Sequence, residues 1–320
     1  MNSAAIDISH VAHHYGSRQA LVDLSLTVNS GEIFAFLGPN GGGKTTLFRL
    51  LSTLIPLQSG EIEILSMSVG RQADQVRAAI GVVFQAPSLD KKLTVFENLK
   101  HQGHLYGLSG SALRARIDEM LARLGLTDRA RELVETLSGG LRRRVELAKG
   151  MLHRPRVLLF DEPSTGLDPG ARSDLWNYFR TLRAEQGVTV VLTTHLLEEA
   201  DKADRLAILN EGALVALDTP DALRATVGGD SITIITSEPA RLAAAIARQF
   251  SCEPQLLDGA VRLEQANGHQ MIARLIDAFG GEIQSITLGK PTLEDVFIAR
   301  TGHRFWQPTV PDTSLVTAGH

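Results

Sequence analysis

One stretch of this chain can do chemistry by itself: Gly38-Pro-Asn-Gly-Gly-Gly-Lys44-Thr45. It fits G-x-x-x-x-G-K-[ST], the pattern of a phosphate-binding loop. Glycines let the backbone curl until successive N–H groups point at a polyphosphate. A helix that starts at the loop adds its positive dipole end. There Lys44 reaches the β- and γ-phosphates, and Thr45 offers a hydroxyl to Mg²⁺. Gly38, Pro39, Asn40, Gly41, Gly42, Gly43, Lys44, Thr45 and Thr46 are the candidate cradle. A second reactive group closes an apolar run, Val157-Leu-Leu-Phe-Asp161-Glu162. Carboxylates at such a strand end stand at the C-terminal edge of a parallel sheet, where open α/β folds bind ligands. Asp161 is the candidate Mg²⁺ partner of Thr45. Glu162 is placed to orient, or take a proton from, the water that attacks a γ-phosphate.

The elements that must position these residues follow from periodicity. Ile33-Phe-Ala-Phe-Leu37 leads into the loop as a strand, and Thr46, Leu47, Phe48, Leu50 and Leu51 leave it as a helix. Before it, Ile6 and Ile8, then Leu24, Leu26 and Val28, alternate with polar residues as antiparallel strands do, with Tyr15-Gly16 at the turn. Glu61–Leu65 and Gly81–Gln85 read as further strands. From Leu93 to about Arg131 the apolar positions recur at three and four residues (Leu113, Ile117, Met120, Leu121, Leu124), which predicts an inserted helical block. Leu137-Ser-Gly-Gly140 opens another helix, which Pro155 is expected to end. Val157–Phe160, Val188–Thr194 and Leu206–Leu209 are continuous apolar runs, as in parallel strands covered on both faces. Alternation of strands with helices predicts an α/β fold. Near Val227 a new pattern begins, in the order β-α-β-β-α-β of a ferredoxin-like domain.

Composition narrows the class. The chain has 320 residues, enough for two domains. Its 32 basic and 36 acidic residues nearly balance, so no global nucleic-acid footprint is expected. A single cysteine, Cys252, excludes an internal disulfide framework. No apolar run nears the ~18 residues that span a bilayer, and no signal peptide is read at the N-terminus. Action at a membrane would therefore need a partner.

The order Lys44, then Leu137-Ser-Gly-Gly140, then Asp161-Glu162 resembles the nucleotide-binding subunit of an ATP-binding cassette (ABC) transporter. Further markers fall between and after them. Tyr15 resembles the aromatic that stacks on adenine, an interaction worth ~1–3 kcal/mol. Gln85 resembles the glutamine that links Mg²⁺ to the helical block. Ser164-Thr-Gly-Leu-Asp168 resembles the loop that crosses the dimer interface, and His195 the switch histidine that touches the γ-phosphate. The resemblance covers residues 1–225. It implies a P-loop NTPase with a RecA-like parallel sheet, an antiparallel β subdomain and a helical subdomain at about 88–152. An accessory α+β ferredoxin-like domain at 226–303 and a disordered tail at 304–320 are expected after it.

What the resemblance implies for function is specific. Glu162 and His195 are the catalytic candidates, and Thr45, Gln85 and Asp161 the Mg²⁺ candidates. ATP is bound by Tyr15, the cradle and Gln85 of one copy. Ser138, Gly139 and Gly140 of a second copy close on it, head to tail. Separately encoded transmembrane permeases complete the transporter at the cytoplasmic face of the membrane, with residues 86–99 as the expected contact. No nucleic-acid partner is implied. One departure stands out: the family signature continues Leu-Ser-Gly-Gly-Gln, and here Leu141 takes the last place. The Arg142-Arg143-Arg144 that follows is expected to be a charged helix face. Pro291-Thr-Leu-Glu-Asp-Val-Phe297 and Thr301-Gly302 resemble the end of drug-resistance exporter ATPases of the daunorubicin group. The alternatives are a soluble ABC ATPase acting on ribosomes or DNA, and a regulatory ATP-binding module whose partner does the catalysis. The single cassette, the short gap between loop and signature, and the intact Glu162 and His195 weigh against them.

Overall fold

The computed structural model describes residues 3–305 apart from 228, 258 and 266. The chain divides into two compact units, with the boundary after Pro220.

The first unit begins with two long antiparallel strands, β1 (Ala4–Tyr15) and β2 (Arg18–Asn29). Their register sets Ile6 opposite Val28 and Ile8 opposite Leu26, so the alternating apolar residues share one buried face. Strand β3 (Ile33–Leu37) is buried throughout and runs into helix α1 (Lys44–Leu51). Strands β4 (Ser59–Ile64) and β5 (Met67–Ser68) complete a four-stranded sheet in the order β2-β1-β4-β5. Helix α2 (Ala73–Ala79) leads to strand β6 (Ile80–Val83).

The helical insertion then holds α3 (Val95–Leu105), α4 (Gly110–Arg123) and α5 (Gly139–Met151). Helix α3 starts at a reciprocal cap, Thr94 with Glu97, which satisfies two backbone donors. Helix α5 stops before Pro155, the residue expected to end it. Arg154, just before that proline, sits at φ 58°, outside the right-handed helical region.

The core of the unit is a six-stranded sheet in the order β10-β9-β3-β8-β7-β6. It contains β7 (Val157–Asp161), β8 (Thr189–Thr194), β9 (Arg205–Asn210) and β10 (Ala213–Asp218), with α6 (Pro169–Gln186) and α7 (Leu197–Ala200) in the crossovers. Strands β6, β7, β8, β3 and β9 are parallel, and β10 turns back antiparallel. Every residue of β3, β7 and β8 is buried, as two covered faces require. Phe34, Phe36, Leu47, Phe48, Ile62 and Leu159 join the two sheets in one apolar core.

The second unit opens with α8 (Pro220–Ala225) and continues β11 (Asp230–Ile235), α9 (Pro239–Phe250), β12 (Gln255–Leu257), β13 (Ala260–Gln265), α10 (Gly268–Phe279), β14 (Ser285–Gly289) and α11 (Leu293–Thr301). Its antiparallel sheet has the order β12-β13-β11-β14, the ferredoxin-like arrangement. Ile232, Ile234, Leu242, Ile246, Val261 and Leu275 form its core. Asp295, inside the Pro291–Phe297 motif, caps α11 with Thr292 and pairs with Arg262 of β13. Of the tail expected at 304–320, residues 306–320 lie outside the described residues. Phe305 is buried, its ring 5.0 Å from that of Phe297.

Candidate nucleotide site

Four parallel strands end side by side and deliver the site. Leu37 of β3 is level with Thr194 of β8, and Thr193 of β8 with Asp161 of β7. Strand β6 ends beside β7, with Val83 level with Phe160. The residues that follow these strand ends are Gly38, His195, Glu162 and, after Phe84, Gln85. Residues far apart in sequence thus reach one sheet edge because their strands are neighbours.

The loop is shaped by close approach. A Cβ on Gly38 would stand 2.4 Å from the Leu209 carbonyl oxygen. Gly43 lies at φ 100°, where a side chain is also blocked by Ala20 O at 2.8 Å. Lys44 is 5% exposed, and its Nζ donates to Gly38 O at 2.7 Å and Pro39 O at 2.9 Å. Burial lowers its pKa, and the nearby Glu162 and Asp161 carboxylates oppose that shift. A cleft of about 160 Å³ brings together Asn40, Gly41, Gly43, Lys44, Thr45 and Thr46 with Glu162, and Tyr15, Arg18 and Ala20 also line it. Tyr15 is 44% exposed, its ring edge-on to His13 at 4.8 Å. An exposed tyrosine at a cleft wall offers its face to a flat ring.

The carboxylate end is built on Thr193. Its hydroxyl donates to Asp161 Oδ1 at 2.6 Å and accepts from the Glu162 amide at 3.1 Å. Burial pushes the Asp161 carboxyl above its usual range, against the pull of that hydrogen bond. Glu162 has φ 46°, a left-handed conformation rare for a residue with a side chain. Its amide also donates to Thr193 O at 3.1 Å, which holds the turn. Two hydrogen bonds then hold the carboxylate, and a histidine stands beside it. Gln85 Nε2 donates to Oε2 at 3.1 Å, Thr165 Oγ1 donates to Oε2 at 3.3 Å, and His195 Nδ1 lies 3.0 Å from Oε1. Among the described residues, no group of three or more His, Cys, Asp or Glu gathers as a metal cage. The buried carboxylate of Asp161 and the hydroxyl of Thr45 are hard oxygen donors, the kind Mg²⁺ takes alongside substrate phosphates.

Ser138, Gly139 and Gly140 are not among the residues lining this cleft. Ser138 caps α5, accepting from Leu141 N at 3.3 Å. Gly139 is exposed, with open space where a Cβ would stand. Leu141 therefore takes part in the cap through its backbone, which a change of side chain leaves intact. Asp168 caps α6 by accepting from Ala171 N at 2.8 Å. The three arginines are not one solvated face, as the sequence suggested. Arg143 donates to Phe84 O at 3.0 Å, and Arg144 pairs with Asp174 at 2.7 Å. Helix geometry explains it: consecutive residues point about 100° apart, so three in a row cannot share a face.

Arg18, Thr165 and Thr193 were not singled out from sequence. Threonines in an apolar strand read as ordinary β-formers, and only strand adjacency reveals Thr193 between the two carboxylates.

The ABC transporter family matches residues 21–165. The daunorubicin resistance ATP-binding protein DrrA2 of Streptomyces coeruleorubidus is 40% identical to the chain, covering 95% of it and 97% of that protein. The chain belongs to the ABC transporter family. Within it, this chain is an ATP-hydrolysing subunit that energises an exporter. The Nod factor export ATP-binding protein I of Rhizobium sp. (strain N33) is 36% identical, over 94% of this ABC ATPase and 98% of its own length. Such end-to-end similarity to exporter subunits does not support the ribosome- or DNA-acting alternative. Among solved structures, the cassette MJ0796, dimeric and bound to ADP and Pi, superposes with a TM-score of 0.61. It is 27% identical to this ABC ATPase and covers 67% of it and 98% of its own chain. The P-loop cassette fold is thus common to both.

Proposed function

We propose that the sheet edge described above is the hydrolytic half of a composite ATP site. The observation that carries this reading is Glu162 beside the phosphate loop, held by Gln85 and Thr165 and flanked by His195. Tyr15 stacks on the adenine. The backbone from Gly38 to Thr46, with Lys44, holds the phosphates. Thr45 and Asp161, with Gln85 beyond them, are the residues that would hold Mg²⁺. When bound, that ion neutralises charge on the phosphate oxygens. Glu162 orients the attacking water and draws on its proton. The water oxygen bonds to the γ-phosphorus as the bond to the bridging oxygen breaks, and ADP and phosphate leave. His195 donates to the γ-phosphate and so registers its presence.

Ser138, Gly139 and Gly140 act on the nucleotide of a second copy of the chain, as a helix start with exposed N–H groups can. Two such half-sites make ATP the adhesive of a head-to-tail dimer, and hydrolysis reopens it. Among the described residues, no helix is long and apolar enough to cross a membrane. Separately encoded permeases hold the subunit at the cytoplasmic face. Their contact includes residues 86–99 and a groove of about 290 Å³ beside them, lined by Phe84, Ser88, Tyr106 and Lys149. Residues 226–303 form an accessory domain, distinct from the nucleotide-binding residues 1–225.

Glu162→Gln is the direct test. It should bind ATP with near-native affinity and lower kcat at least ~100-fold, the scale of losing a general base. Wild-type turnover in that variant would remove Glu162 from the mechanism.

A further inference from the structure

The signature helix reaches the catalytic edge through a residue that neither its motif nor the family match assigns; farther along, its Glu146 accepts from Ser88 N at 2.6 Å. Arg143 points inward from α5, and its Nη1 donates to the Phe84 carbonyl at 3.0 Å. The next residue, Gln85, donates from Nε2 to Glu162 Oε2 at 3.1 Å. One peptide unit therefore separates the α5 side chain from the residue that grips the carboxylate. Phe84 is fixed from its other end as well, its ring edge-on to Phe48 of α1 at 5.7 Å. Arg142 and Arg144 offer no such link: Arg144 turns to Asp174 of α6.

The Arg143 contact is hard to give up. Nε and Nη2 of its guanidinium are buried with no hydrogen-bond partner among the described residues. A half-buried guanidinium with two enclosed nitrogens cannot release its single acceptor without a further desolvation penalty. Burial lowers the guanidinium pKa, while Glu146, Asp161 and Glu199 favour its charge. Glu199 belongs to the same catalytic framework, since it accepts from the hydroxyl of Thr194 at 2.7 Å, and the carbonyl of Thr194 accepts from Gly38 N at 3.3 Å.

We propose that Arg143 is a positioning residue that ties α5 to the Phe84–Gln85 backbone, and through it sets the grip of Gln85 on Glu162. The proposal rests on the reading of Glu162 given above. It makes engagement of the α5 N-terminus by a second copy's nucleotide felt at the carboxylate of its own site. Arg143 itself touches no reacting atom.

The test uses the full chain and Arg143→Met, which keeps the stem and removes the donors. Without nucleotide, amide exchange across residues 84–88 should quicken several-fold. With MgATP, kcat should fall about tenfold while KM stays within about twofold. In a Gln85→Ala background the same substitution should cost less than about twofold, because the residue it acts through is already gone. Arg143→Gln, which keeps one amide donor, should recover part of both the protection and kcat, and serves if the methionine variant melts too early. Unchanged exchange overturns the tether. An equal tenfold loss with and without Gln85 overturns the route, and a glutamine variant no better than methionine overturns the donor argument. Failure of the Glu162 reading would show separately, as wild-type turnover in Glu162→Gln with the exchange result intact.

Discussion

Tyr15 and Arg18 stand on either side of the β1–β2 turn, and both line the candidate nucleotide cleft. They differ in how far sequence alone reveals them. Tyr15 enters only through the family resemblance, because a lone tyrosine in a turn otherwise reads as a half-buried surface residue. Arg18 does not enter at all, since an arginine in a hairpin is by default a solvated end. Its place emerges from the approach of its guanidinium to Gly41, where an added Cβ would lie 3.3 Å from Nη2. Tyr15→Ala should raise KM for ATP roughly tenfold, within the ~1–3 kcal/mol of a base–aromatic stack, with kcat little changed. Arg18→Ala should raise KM severalfold, and more steeply at low salt, because an exposed cation acts on phosphate through a screened field. Steady-state kinetics at two ionic strengths checks both. A fall in kcat at unchanged KM would mean that these side chains act on the chemistry instead of on nucleotide binding. Glu162, Gln85 and His195 were each named from the sequence, but their meeting was not legible. Gln85 and His195 reach Glu162 through the order of strands in the sheet, whereas Thr165 comes from the same turn as Glu162.

At the scale of elements, the buried strands were the clearest part of the sequence, because two covered faces force continuous apolar runs. Helix ends were less legible. The α5 terminus depends on the residues around His153, whose ring stacks on Tyr106 at 3.7 Å and whose Nε2 meets Ile80 O at 2.8 Å. No periodicity announces a histidine wedged between a helix end and a strand. Burial lowers the His153 pKa, with the Ile80 hydrogen bond opposing and Arg116 reinforcing. The sign of the linkage follows. Below the ordinary histidine value of 6.5 the unfolded chain takes up a proton that the folded chain refuses. Stability is therefore intact above that value and drains away as pH falls through it, by at most ~1.4 kcal/mol per pH unit for one proton. The denaturant midpoint of the wild type should fall as pH drops from 7 to 5.5. His153→Gln should show a flatter pH dependence, and equal slopes would mean that His153 is not the group responsible.

For the whole molecule, the change of pattern near Val227 suggested a second unit; the structure sets the boundary earlier, after Pro220, and its second sheet follows the expected β-α-β-β-α-β order. What sequence could not show is why the Pro291–Phe297 motif has its form. Its Asp295 is almost fully buried, serving as both cap and counter-ion to Arg262, two roles that no local pattern separates. The proposed head-to-tail dimer is also a whole-molecule matter, because Ser138 to Gly140 are absent from the lining of their own chain's cleft. Glu162→Gln should shift from monomer to dimer on gel filtration when MgATP is added. Adding Ser138→Glu, which sets a negative charge where phosphate should dock, should cancel that shift while the monomer still binds ATP. Loss of ATP binding with the dimer retained would place the anion site in the same chain and refute the sandwich.

The left-handed backbone at Glu162 has a consequence beyond the chemistry proposed for it. A side chain in that conformation costs on the order of 1 kcal/mol that glycine would not incur. The position is thus held against the chain's own conformational preference. A search for heat-resistant versions of this subunit, made without regard to turnover, would drift toward glycine or asparagine here and enrich for proteins that endure but do no work.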